Sequence, residues 1–218
     1  MKRKERVEHL IEEFLRLYPQ AHCELNYSNA LELLVATILS AQCTDVRVNK
    51  VTPALFKRCR NVREYKEIPS LELEKLIYST GFFRSKAKAI QGSATVLFNN
   101  YGGKIPRSLK ELSALPGVGR KTANVVLSNA FNIHEGIVVD THVRRLSKRL
   151  GLTKANSPQK IEEALMKLFE RQYWGVLSHW FIWHGRRVCR ARHPDCESCT
   201  LHSFCPSAYQ PHRFLRKL

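Results

Sequence analysis

Long apolar stretches are absent from this sequence of 218 residues. No apolar run approaches the roughly 18 residues that a membrane-spanning helix needs. The chain begins with a basic stretch, residues 1–6, but no apolar segment of the kind found in a secretion signal follows it. We therefore expect a soluble protein of the cytoplasm, with no membrane as partner.

Strand-like alternation of apolar and polar residues is also missing, as are internal repeats, low-complexity segments and any linker that would mark a domain boundary. Apolar residues instead recur at helical spacing, and the pattern predicts an all-α protein. We expect helices over 4–18, 31–41, 46–57, 71–80, 87–99, 120–130, 143–150, 158–169 and 177–184, and we expect Asn29 to cap the second of them.

Acidic residues are scarce relative to basic ones. The chain has 19 Asp and Glu against 36 Lys and Arg, a formal net charge of +17. An excess of this size argues for a polyanionic partner, either nucleic acid or an anionic membrane surface. Since nothing in the sequence indicates membrane insertion, nucleic acid is the better interpretation.

One glycine-containing turn joins two helical patterns. Leu112 and Leu115 lie on the apolar face of a short helix that we expect to end at Pro116. Gly117 and Gly119 then permit backbone angles closed to other residues, which lets the chain reverse into the next helix. The stretch therefore predicts a helix–hairpin–helix whose bare amides, at the start of a helix, can bind a phosphate.

Lys121 falls in the first turn of that second helix. The positive end of a helix disfavours an ammonium, and the resulting neutral amine is a nucleophile. A solvated lysine beside a tight turn explains the same residues, so the pattern alone leaves both interpretations open.

Three further polar or aromatic segments have a structural and a functional interpretation. Asp140 either caps the following helix or supplies a catalytic carboxylate. Gln42 lies in a polar stretch directly after a buried helix. Phe82 and Phe83 are expected in a loop, where they either stack on bases or enter the core.

Four of the seven cysteines are clustered near the end of the sequence. Cys189, Cys196, Cys199 and Cys205 are separated by six, two and five residues. Four thiolates can bind one zinc ion or one iron–sulfur cluster, and the spacing does not decide between them. Neighbouring arginines favour a metal-folded loop that contacts phosphate.

Four motifs, taken together, resemble a known family. The stretch 115–123 (LPGVGRKTA), the segment 139–142 (VDTH), the segment 40–45 (SAQCTD) and the cysteine spacing occur in one order along the chain. They are similar to motifs of the helix–hairpin–helix DNA glycosylases, most of all the bacterial endonuclease III family. The resemblance covers essentially the whole chain.

This resemblance implies two helical lobes with a DNA-binding cleft between them. A six-helix lobe with the helix–hairpin–helix takes residues 23–133, and residues 1–22 with 134–218 form the lobe that carries a [4Fe-4S] cluster on the four cysteines. The implied partner is double-stranded DNA with damaged pyrimidines or abasic sites, bound by a monomer.

The resemblance also implies a bifunctional glycosylase and lyase of base excision repair. Lys121 is the nucleophile that removes an oxidised pyrimidine and leaves a Schiff base, and Asp140 assists it. The strand is then nicked 3′ to the abasic site by β-elimination. Implied DNA contacts are Gln42, Phe82, Gly117, Val118, Gly119, Arg120, Thr122, His142, Arg190 and Arg192.

Two alternatives remain at this point. An adenine-specific mismatch glycosylase has the same fold but lacks the lysine and uses an acid in the early buried helix, whereas residues 33–44 contain no Asp or Glu. The second alternative is not an enzyme but a DNA-binding module whose C-terminal loop is folded around a metal.

Overall fold

We analysed a computed structural model of the chain, which describes residues 2–208. This part of the chain is helical and contains no β-strand. Its α-helices are α1 (Arg3–Leu17), α2 (Ala30–Leu39), α3 (Asp45–Arg58), α4 (Val62–Glu67), α5 (Ser70–Ile77), α6 (Phe83–Tyr101), α7 (Leu109–Ser113), α8 (Arg120–Phe131), α9 (Thr141–Arg149), α10 (Pro158–Met166) and α11 (Trp174–Arg187). The predicted all-α class is confirmed.

The chain divides into two compact units. One unit, Cys23–Glu135, contains α2 to α8 and is called the hairpin unit below. The other joins Met1–His22 to Gly136–Leu218, and its described part contains α1 and α9 to α11; it is called the terminal unit. The hairpin unit begins at residue 23 like the expected lobe, ends two residues beyond the expected residue 133, and contains seven α-helices where six were expected.

The hairpin unit is built around α2. Seven consecutive residues of this helix, Leu33 to Leu39, are buried, because other helices surround it. Asn29 caps the helix as predicted, since its side chain accepts a hydrogen bond from the amide of Glu32 at 3.0 Å. The Glu32 carboxylate in turn accepts from the amide of Ser28 at 2.7 Å.

Several helix boundaries differ from the sequence prediction. The short α4 was not predicted, although Asn61 caps it through the amide of Glu64. The helix α6 begins at Phe83 instead of residue 87, and α7 ends at Ser113, before Pro116 is reached. Finally, α10 ends at Met166 and not at residue 169. The overall order of helices is otherwise as expected.

Aromatic rings form the core of the terminal unit. Phe14 of α1 stacks on Trp180 of α11, with ring centroids 5.8 Å apart, and also contacts Phe181. All three side chains are almost completely buried. Burial of large rings of this kind contributes strongly to stability, so these contacts hold the N-terminal helix on the C-terminal half of the sequence.

Within residues 2–208, no helix combines the length and apolar character needed to cross a membrane.

Candidate active site

The helix–hairpin–helix is present in the hairpin unit. After α7, the amide of Val118 donates to the carbonyl of Leu115 at 3.1 Å, which closes the turn. The helix α8 then begins at Arg120, with Gly119 as its N-cap. Amides in the first turn of a helix lack acceptors within that helix, so the start of α8 is a candidate site for an anion.

Only one of the two hairpin glycines is required by the backbone. Gly117 has a φ of +72°, in the left-handed region, and a Cβ there would collide with the Cβ of Ala89 in α6. Gly119 has a φ of −87°, an ordinary extended value, and a Cβ there would meet no atom within 4 Å. The expectation that both glycines are needed for unusual backbone angles is therefore wrong for Gly119.

We predict that Gly117→Ala destabilises the protein by about 2–4 kcal/mol, because it adds left-handed strain and a clash with α6. Gly102→Ala is the matched control, since Gly102 also has a positive φ, of +57°, but has open space around its Cβ. The Gly102→Ala variant adds only backbone strain, so we expect it to lower the free energy of unfolding by about 1 kcal/mol. Chemical unfolding measures both, and equal losses would contradict a clash at Gly117.

The residues after the turn differ in their exposure. Arg120 and Lys121 are exposed, and Thr122 is half-buried. Val118, which the resemblance implied as a DNA contact, is only 4% exposed and packs in the hydrophobic core of this unit. Because its amide is also bonded to Leu115, Val118 has neither a side chain nor a donor to offer, and the implied contact is corrected.

Two loops of the same unit present strained residues to solvent. Gln42 follows α2 with a φ of 53°, and Phe82 precedes α6 with a φ of 47°. Both side chains are exposed, Phe82 by 66%. Residues other than glycine rarely adopt left-handed angles, and such strain is concentrated at functional sites. Phe83, by contrast, is the first residue of α6 and packs against Tyr78, so its predicted place in the loop is wrong.

Asp140 lies in the terminal unit and caps α9. Its Oδ1 accepts a hydrogen bond from the amide of Val143 at 2.8 Å, and the residue is half-buried. His142 is also half-buried, and its Nδ1 lies 3.0 Å from the guanidinium of Arg145. A Cβ on Gly185 of α11 would collide with the side chains of His142 and Arg145, so α9 and α11 are in close contact here.

The four clustered cysteines line one cavity. Cys189, Cys196, Cys199 and Cys205 all line one pocket that is partly open to solvent. Within residues 2–208, no three side chains of His, Cys, Asp or Glu are grouped tightly enough to bind a single metal ion.

Two arginines of α9 hold the start of this cysteine loop. The buried guanidinium of Arg149 donates to the carbonyls of Arg190 and Ala191 at 2.7 and 2.8 Å, and lies 3.3 Å from the Sγ of Cys189. Arg145 donates to the Cys189 carbonyl at 3.2 Å. The side chains of Arg190 and Arg192 are exposed on this loop, where they are available to phosphate.

Burial controls protonation around the cysteines. Removal from water raises the pKa of the Cys199 thiol to about 11 and also raises the pKa of Cys205. His184 has its pKa lowered to about 4 by burial, so it is neutral at physiological pH. Its ring bridges the Tyr18 hydroxyl at 3.1 Å and the Cys199 sulfur at 3.5 Å.

Two buried cations were not predicted from the sequence: Lys86 in the hairpin unit and Arg149 in the terminal unit. A Lys or Arg within a basic amphipathic helix is normally expected on the solvated face. Their partners are backbone carbonyls at other points of the chain, and residue types carry no signal for such pairing.

The comparisons with known proteins agree with this architecture. Residues 35–171 match the family described as HhH-GPD superfamily base excision DNA repair protein. Endonuclease III of Synechocystis sp. is 53% identical over 206 residues, 94% of each chain. Endonuclease III of Escherichia coli is 39% identical over 187 residues, 86% of this chain and 88% of that one.

Two solved structures have the same fold. One is a non-covalent endonuclease III–DNA complex, and the other is a trapped endonuclease III–DNA covalent intermediate. Each is 44% identical to this chain, with a TM-score of 0.91, covering 98% of this chain and all of the other. By sequence and by fold, this chain belongs to the endonuclease III family of base excision DNA repair proteins.

Proposed function

We propose that this protein is a bifunctional DNA glycosylase and abasic-site lyase that removes oxidised pyrimidines from double-stranded DNA. The observation that carries the proposal is the exposed Lys121 in the first turn of α8, directly after the left-handed turn at Gly117. A relative of the same fold has been trapped in a covalent complex with DNA.

The chemistry begins with extrusion of the damaged nucleotide, because C1′ cannot be attacked while the base is stacked. The amine nitrogen of Lys121 forms a bond to C1′ as the bond from C1′ to the base breaks, and the electron pair leaves with the base. The Asp140 carboxylate stabilises the positive charge that develops on the sugar and accepts the proton that the amine loses.

The nitrogen lone pair then forms a second bond to C1′ as the bond from C1′ to the ring oxygen O4′ breaks. O4′ takes up a proton, and the product is a Schiff base between Lys121 and C1′. This imine acidifies the hydrogen on C2′, and its removal expels the 3′ phosphate with the electron pair of the bond to C3′. A lysine nucleophile therefore accounts for base removal and strand nicking in a single active site.

Several other residues are assigned to DNA binding. The amides at the start of α8 receive a backbone phosphate, and Arg120, Arg190 and Arg192 contribute positive charge. Thr122 and His142, each half-buried, flank Lys121 and Asp140 in the sequence. The exposed Gln42 and Phe82 enter the space that the extruded nucleotide leaves.

We assign a [4Fe-4S] cluster to Cys189, Cys196, Cys199 and Cys205. A cluster with one thiolate on each iron needs donors distributed around a volume, and the cavity lined by all four cysteines provides this arrangement. When bound, the cluster crosslinks the loop and thereby fixes the backbone that carries Arg190 and Arg192.

Reduction with borohydride in the presence of DNA tests the proposed function. The wild-type protein should form a stable covalent adduct with a duplex that contains one abasic site, because borohydride reduces the Schiff base of Lys121 to an amine. Denaturing electrophoresis detects the adduct as a shifted band. A protein that binds this duplex but yields no adduct is a binding module, and the proposal would then be wrong.

The cluster assignment predicts a coloured protein. Protein purified without oxygen should contain iron and sulfide and absorb broadly near 400 nm, whereas Cys196→Ser should lose most of this absorption. Cys43→Ser is the matched control, since Cys43 lies in the other unit and should leave the spectrum unchanged. A colourless wild-type protein with one equivalent of zinc would contradict the assignment.

A further inference from the structure

Lys86 is a buried lysine whose two acceptors are neutral backbone carbonyls. It lies in the first turn of α6 and is only 5% exposed. Its ammonium donates to the carbonyl of Leu39 and to the carbonyl of Thr80, each at 2.8 Å. Burial lowers the pKa of Lys86, and nearby Cys43 partly opposes this.

Both carbonyls belong to helix ends. Leu39 is the last residue of α2, and Thr80 is the last residue of the 3₁₀ turn Tyr78–Thr80 that precedes α6. Carbonyls at the end of a helix lack partners within it, and a cation is favoured there by the helix dipole. One side chain thus joins two helix ends that are 41 positions apart in the sequence (80 − 39).

Each of these helix ends leads directly into a loop assigned to DNA insertion. Gln42 follows Leu39 by three residues, and Phe82 follows Thr80 by two. Both residues are exposed, and both have backbone angles in the left-handed region. The Lys86 ammonium therefore lies at the base of both loops, although its own side chain is shielded from solvent.

A buried charge is a costly way to fill this space. An apolar side chain of similar volume commonly gives equal or greater stability than a buried ion, and the attested benefit of keeping a buried polar group is a defined geometry. At this position the geometry that the ammonium defines is the spacing between the ends of α2 and the 3₁₀ turn.

We propose that Lys86 is a positioning residue that fixes the Gln42 and Phe82 loops relative to each other, so that both side chains enter the duplex together as the damaged nucleotide leaves. The inference rests on the proposed function, since it assigns Lys86 to base extrusion and not to the steps at C1′. Lys86 itself contacts neither DNA nor the reacting atoms.

The test compares Lys86→Met, which keeps the length and removes the donors, with Lys75→Met, which removes the same charge from an exposed site on α5. Base removal is measured under single-turnover conditions on a duplex that contains one 5,6-dihydrothymine. Nicking is measured on a single-stranded oligonucleotide with an abasic site, where no base has to be extruded. The fluorescence of 2-aminopurine placed opposite the lesion reports the loss of stacking.

We expect Lys86→Met to lower the rate of base removal about 10- to 100-fold, because displacing the loops misplaces the substrate, and to suppress the 2-aminopurine signal. Nicking of the single strand and cooperative thermal unfolding should be retained, and Lys75→Met should resemble the wild type. Lys86→Gln, which keeps donors, should recover part of the loss and serves if the methionine variant does not fold.

Three results would overturn the inference. Equal losses on the duplex and the single strand would place Lys86 in the chemistry, and unchanged base removal would leave it without a role in extrusion. Failure of both the methionine and glutamine variants to fold would make Lys86 purely structural. Failure of the proposed function is distinguishable, because the wild-type protein would then form no borohydride adduct with abasic DNA.

Discussion

Replacement of Lys121 by glutamine should reduce both base removal and nicking by about 10³-fold or more, because it deletes the only nucleophile assigned to C1′. The side chain is exposed at the start of α8, so a polar replacement leaves the helix and the hairpin core intact. The measurement is single-turnover cleavage of a duplex with one ring-saturated pyrimidine, together with borohydride trapping on abasic DNA.

Lys110→Gln is the matched control for this prediction. Lys110 is exposed on α7, on the other side of the same hairpin, and its loss removes an equal charge. Both variants should bind abasic DNA with similar affinity in a gel-shift titration, while only Lys121→Gln loses the covalent adduct. A Lys121→Gln protein that still nicks abasic DNA at the wild-type rate would refute the assignment.

The substitution Asp140→Asn should slow base removal by about 10²- to 10⁴-fold, the range typical of losing a positioned acid–base group. Asparagine caps a helix as well as aspartate does, so α9 should keep its start and the fold its stability. Single-turnover kinetics measures the effect, and a DNA-binding titration should show that most of the affinity is retained.

The variant Asp140→Ala separates the carboxylate from the cap. Alanine removes both, and the lost hydrogen bond to the amide of Val143 should decrease the free energy of unfolding by about 1 kcal/mol. If Asp140 were only a cap, the asparagine variant would be fully active and the alanine variant alone would be impaired. That pattern of rates would remove Asp140 from the catalytic residues.

Local signals in the sequence predicted most of the helices and the hairpin. The cap at Asn29 was identified because a short polar side chain before an apolar-periodic run is typical of an N-cap, and the cap at Asp140 was one of two interpretations of that residue. The left-handed turn at Gly117 was identified because the conformation requires glycine. These features depend on residues within about four positions of one another, so the sequence contains the information directly.

Other predictions were wrong where packing overrode a local pattern. Phe83 was expected in a loop beside Phe82, yet it begins α6, because Gly81 and Phe82 complete the turn one residue earlier. Val118 was implied as a DNA contact by the resemblance to the family, but its side chain packs in the core of the hairpin unit. For both Phe83 and Val118, the local sequence pattern does not show whether the side chain packs into the core or lies at the surface.

The sequence by itself determined the helical class, the hairpin, the place of Lys121 in the first turn of the helix after it and the set of four cysteines, because each is expressed within a short stretch of the chain. Only the tertiary structure decided that the cysteines line one cavity, that Arg149 is buried against their loop, and that Lys86 joins the ends of two distant helices. The acceptors in those last two contacts are backbone carbonyls. Every residue carries such a group, so the identity of the partner becomes visible only when folding brings it within hydrogen-bonding distance.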